Sequence, residues 1–153
     1  MKTSKRFDRA IEQLYRAFHD NTLNPECCRQ CAVGNICYNT DTWRLLTPAH
    51  GSVELSYLGK LNETFGRKIG GYSPSELLGI EAVFLKALGY ELPLTRESKK
   101  PLKPLSKDLL FWGLSETVSH LCRLDGISDV MDPSRLFDFE PERKPEEIIF
   151  NEM

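Results

Sequence analysis

Wherever apolar residues form a pattern in this chain they return at intervals of three and four, and no stretch of any length alternates as a strand would. That periodicity confines the chain to helices packed on helices, an all-α fold. Phe7, Ile11, Leu14, Tyr15 and Phe18 set a first helix of about four turns, ending near Asn21, with Lys5, Arg6, Arg9 and Arg16 turned outward. Leu55, Leu58, Leu61 and Phe65 mark another between about Ser52 and Phe65. Ser73-Pro74-Ser75-Glu76 gives a capping Ser, Pro at the first helical position and Glu three residues after the cap. The helix it opens carries Leu77, Leu78, Phe84, Leu85 and Leu88 inward and closes at Gly89. A last long helix, about Ser106 to Leu124, buries Phe111, Leu114, Val118, Leu121 and Cys122 before Gly126. With a short helix at the cysteines, the expectation is a compact bundle of about five helices.

Two segments break the pattern. Residues 96–107 hold five basic residues, one acid and two prolines, which predicts an exposed linker. From Asp132 there are seven acids against three bases, so residues 132–153 read as an acidic, loosely held tail beyond a single helical domain, 1–131. A chain of 153 residues is long enough for one real core. Its formal charge of −2 provides no basic excess to neutralise phosphates, which argues against a nucleic-acid binder. No window approaches the roughly 18 apolar residues of a membrane span, and the start lacks the apolar run of a signal peptide. Five cysteines cannot all pair within one chain, so reduced thiols and a cytoplasmic setting are expected.

Four of those cysteines fall within Asn24-Pro25-Glu26-Cys27-Cys28-Arg29-Gln30-Cys31-Ala32-Val33-Gly34-Asn35-Ile36-Cys37. Asn24 can cap a helix, Pro25 suits its first position and Gly34 can end it. On that reading Cys27, Cys28 and Cys31 fall within an arc of about 100° on one face, and the helix dipole favours thiolate, the form that binds metal and attacks disulfides. Asp41 to Leu46 can add one further turn before Pro48. Three chemistries stay open for the thiols: inert buried hydrophobes, ligands to one zinc or iron ion, or a redox pair joining Cys31 to Cys27 or Cys28.

Carboxylates support the metal reading. Glu81 lies at the centre of its helix's apolar face, and a carboxylate in a dry core costs several kcal/mol unless it is paired, metal-bound or protonated. Its partner would be either an Arg or Lys or the ion that the thiolates hold. Glu54 shares a face with Leu58, Leu61 and Phe65 if its helix has begun by then, and His50 precedes it by four residues. A mixed Cys/His/Glu set suits zinc or iron. His120 with Glu116 reads as a solvated pair, and His19 as a helix-end cation. There is no flavin or dinucleotide motif and no phosphate loop. The other class of function is a non-catalytic interaction module, its charged segments meeting an unknown protein partner.

The runs Asn24-Pro25-Glu26-Cys27-Cys28-x-x-Cys31-Ala32-Val33-Gly34-Asn35, Gly71-Tyr72-Ser73-Pro74 and Leu121-Cys122-x-Leu124-Asp125-Gly126 resemble a short bacterial family commonly labelled as the F component of Na⁺-translocating NADH-quinone reductase. The resemblance runs over about residues 1 to 137 and implies a redox association. The full-length reductase component combines a membrane anchor, a ferredoxin-type iron–sulfur domain and a flavin/NADH domain. The Cys-Cys-x₂-Cys-x₅-Cys order here departs from the plant-type ferredoxin spacing, and no flavin, NADH or quinone residues carry over.

Overall fold

A computed structural model describes residues 3–101, 104–128 and 132–144. It is all-α: α1 (Lys5–Asp20), α2 (Ala32–Ile36), a 3₁₀ turn (Thr42–Leu45), α3 (Tyr57–Thr64), α4 (Pro74–Leu88), α5 (Lys107–Leu124) and α6 (Pro133–Leu136). Among the described residues the one strand-like feature is an isolated bridge between Ile69 and Tyr72. None of these described helices is long and apolar enough to cross a membrane.

The strongest sequence signals set the frame. α1 opens on Ser4, whose Oγ accepts from Phe7 N at 3.1 Å, and closes on Asn21 in the left-handed conformation. At Ser73 the capping box is complete: Ser73 Oγ accepts from Glu76 N at 3.2 Å and Glu76 Oε1 from Ser73 N at 2.9 Å. Gly89 ends α4 at φ 100°. α4 and α5 make the most extensive helix pair, and Gly113 allows their approach, since a Cβ there would meet Leu88 Cδ2 at 2.7 Å. α1 lies across α2 and α5, and α2 rests on α4.

Packing revises four expectations. Ser56, with its Oγ accepting from Gly59 N at 3.1 Å, starts α3 at Tyr57, five residues later than the periodicity suggested. α3 is also turned over: Gly59 and Asn62 face inward, while Leu58 and Phe65 face out. Arg6 does not point to solvent. Its guanidinium bonds Asp125 at 2.6 Å, Glu76 at 3.2 Å and the carbonyl of Gly71 at 3.1 Å, and lies 4.5 Å over the Tyr72 ring. Finally, the acidic segment is held in place over its described part. Phe137 is fully buried against Phe18, Phe139 packs edge-on to Phe18, and Trp112 Nε1 donates to Arg143 O at 2.8 Å. The rest of that tail lies outside the described residues. Of the linker expected over 96–107, Arg96, Glu97, Lys99, Lys100 and Pro104 are exposed, whereas Leu105 packs against the core and Lys107 already belongs to α5.

Candidate metal centre

The cysteine stretch folds differently from a single helix. Asn24 does act as the opening residue, its Oδ1 accepting from Glu26 N at 3.0 Å, but the chain makes only turns through Gln30. Cys31 Sγ takes over as the cap of α2, accepting from Gly34 N at 3.3 Å. Gly34 lies inside α2 and is not its stop, and Cys37 caps the far end. Gly34 is needed for space: a Cβ would sit 2.5 Å from the Arg29 carbonyl carbon and 2.6 Å from Cys28 O. Asn35 locks the turn by donating from Nδ2 to Gln30 O at 2.8 Å and to Cys31 O at 2.9 Å. The three thiols therefore do not share a face. Cys31 is fully buried beneath α1 and α4, whereas Cys27 and Cys28 are half-buried.

Glu81 lies where its helical face predicted, 1% exposed in the core. Its Oε1 accepts from Val33 N at 3.0 Å, so the carboxylate caps α2 from the side, while Oε2 lies 3.4 Å from His50 Nε2. Its partner is thus a histidine and a backbone amide. His50 comes from the loop after the 3₁₀ turn, with its side chain 12% exposed. Trp43 crosses it edge-on, ring centres 5.0 Å apart, and the next residue, Gly51, accepts from Leu94 N at 3.1 Å, which fixes the loop.

Cys31 Sγ, a His50 ring nitrogen and a Glu81 carboxylate oxygen all lie within 4.8 Å of one another. Of the six residues expected at the site, these three are brought together. Cys27 and Cys28 lie on the neighbouring turn, with Asp41 against Cys28. Glu54 precedes α3, is exposed, and lines an open groove with Lys60 and Leu78. The i,i+4 alignment of His50 with Glu54 required a helix that has not begun there.

The electrostatics also reverse an expectation. Burial, followed by the neighbouring Glu81 charge, pushes the Cys31 thiol well up from its ordinary value of 9.0. Gly34 N–H and the indole of Trp43 oppose that shift without overcoming it. Burial and Asp41 raise Cys28, and burial pushes Cys37 up to about 11. The dipole of so short a helix does not offset the lost hydration. Trp43 Nε1 is buried without a hydrogen-bond partner, and it is near enough to the Cys31 thiol to oppose its rise. No property of the sequence singled out Trp43, because its place depends on two loops meeting over α4.

Compared with protein-family models, curated proteins and solved structures, the chain matches none.

Proposed function

We propose that this protein binds a single zinc or ferrous ion through Cys31 Sγ, His50 Nε2 and Glu81. The observation behind this reading is the convergence of a thiol, an imidazole and a carboxylate from three separate segments, with Cys31 and Glu81 buried and His50 largely so. Each is a zinc or iron donor, and the mixed set suits borderline-soft cations better than calcium or magnesium. Tetrahedral zinc with such ligands places donor atoms about 3.3–3.6 Å apart. The His50–Glu81 separation of 3.4 Å already fits, and a closure of about 1 Å would bring the widest pair into range.

The surroundings supply what ligands require around them. Val33 N–H orients the second Glu81 oxygen, and Gly34 N–H with the Trp43 indole would share the negative charge of a bound thiolate. A divalent cation beside Cys31 would outweigh the Glu81 charge, so uptake would release the thiol proton and strengthen as pH rises. Three protein ligands leave one position of a tetrahedron for water or a small anion, on the side where His50 meets solvent. The raised Cys31 thiol and its burial disfavour a resting nucleophile.

The test is cobalt(II) titration of the full chain, purified without a polyhistidine tag, beside metal analysis of the preparation before any chelator. The expected result is one equivalent of cobalt with a thiolate-to-cobalt charge-transfer band, absent in Cys31→Ser and retained in Cys27→Ser. Stoichiometry near zero, or a band that needs Cys27 and survives Cys31→Ser, would overturn the assignment.

A further inference from the structure

The outward face of α3 carries an inference independent of the metal. Gly59 and Asn62 seat this helix on the protein, so Tyr57, Leu58, Leu61 and Phe65 fall within an arc of about 100° on the other side. Tyr57 is 78% exposed, Phe65 70% and Leu58 45%. Leu45 extends the strip, since Asn62 Nδ2 donates to its carbonyl at 3.0 Å and holds the 3₁₀ turn beside α3. Isolated apolar side chains on a surface are ordinary, but a continuous strip of leucines and aromatics on one helix face marks an interaction site.

The rim identifies the kind of occupant. Arg44, Lys60, Arg67 and Lys68, which lie within three residues of strip residues in the chain, are all exposed, and Arg67 Nη1 is fixed by donating to Asn62 Oδ1 at 2.8 Å. The acid on α3 itself, Glu63, is already engaged: it accepts from Ser75 N at 2.8 Å and Ser75 Oγ at 2.6 Å, at the positive end of α4. Glu54 lies along the groove between α3 and α4, with Lys60 beside it. The strip is therefore apolar at its centre with four cations close to it in the chain. We propose that this face docks an amphipathic helix of a partner protein, with leucine or aromatic residues on one side and acidic residues flanking them. Apolar anchors would supply affinity, and the rim would select the sign of charge and steer the encounter.

The experiment titrates the full chain calorimetrically with two synthetic helical peptides. Both carry Leu and Phe at i, i+3, i+4 and i+7; one has Glu at the flanking positions and the other Lys. The acidic peptide is expected to bind, more tightly at low salt, and the basic one at least about tenfold more weakly. Phe65→Ser should weaken the acidic peptide by about tenfold or more. Lys60→Glu, at an exposed position whose side chain supports no part of the core, should weaken it and flatten the salt dependence. Equal affinity for both peptides, or indifference to both substitutions, would overturn the proposal. So would concentration-dependent self-association of the protein that Phe65→Ser abolishes, because the face would then belong to a second copy.

Discussion

Glu81 is the residue at which folding and chemistry meet. A buried carboxylate opposite Arg or Lys would strand a cation if neutralised, at about 3–5 kcal/mol. Here the opposite groups are the His50 imidazole and the Val33 amide, with no Arg or Lys paired to it among the described residues, and an amide oxygen could still accept from Val33 N. Glu81→Gln should therefore cost the metal-free protein only about 1–2 kcal/mol. The loaded protein should lose considerably more, because ion binding adds to native stability. Denaturant unfolding of both proteins with and without chelator measures the difference; an unchanged deficit would remove Glu81 from the ligand set. Cys37 provides a second test at this scale. Its thiol titrates near 9.0 when unfolded and about 11 when folded, so the native state holds that proton more tightly. The associated stability is complete below pH 9 and disappears as pH rises towards 11. Cys37→Ala should unfold with a shallower alkaline slope, retaining about 2–3 kcal/mol more of its neutral-pH stability by pH 11. Titration of unfolding midpoints over that range measures it. The identities of Cys31, His50 and Glu81 as candidates were legible from residue type and, for Glu81, from its helical face. Their grouping was not, because it depends on where loops at residues 31 and 50 cross α4.

Among the elements, those with paired start and stop signals were the most legible. α4 and α5 begin at the serines and end near the glycines that the sequence offered, because caps act locally and need no partner. α2 shows the opposite limit. Its five residues are too few to form a stable helix alone, and its start at Cys31 is fixed by contacts with α1 and α4. Gly34→Ala illustrates the consequence: an added methyl would press on the Cys28–Arg29 backbone and displace the N–H groups facing Cys31 and Glu81. A cost of about 1–3 kcal/mol is expected, together with at least a tenfold loss of cobalt affinity, whereas the same change at exposed Gly66, at φ 72°, should affect stability alone. Thermal unfolding alongside cobalt titration separates the two effects. α3 misled the periodicity for a physical reason. Apolar spacing of 3.6 marks a face that water disfavours, but it does not say whether the covering surface is in the same molecule.

Across the whole molecule, Arg6 draws together the start of α1, the start of α4 and the end of α5 through Glu76, Asp125 and the Leu124 and Gly71 carbonyls. Composition alone placed it outside, because a lone arginine in a basic run looks solvated until its acids, about 70 and 120 residues away, are in place. The described part of the acidic tail, residues 132–144, is likewise held by contacts that composition does not show. Its charge masked Phe137 and Phe139, which close the aromatic cluster over Phe18 and Phe111. Phe137→Ala should lower unfolding free energy by about 3–5 kcal/mol, as for a ring lost from a filled core. A change below about 1 kcal/mol in chemical denaturation would show that the segment contributes little to holding the domain together.

Trp43, edge-on to His50 and near Cys31, makes the chain its own optical gauge. The other indole, Trp112, is anchored elsewhere by Arg143, so a Trp112→Phe protein would emit from one place only. An open-shell ion such as cobalt(II), seated between sulfur and imidazole, would drain that ring's excited state, whereas closed-shell zinc would leave it bright but shifted in colour. Dimming by cobalt that zinc reverses would then count occupied molecules directly, and emission indifferent to both ions would place the ion away from Trp43.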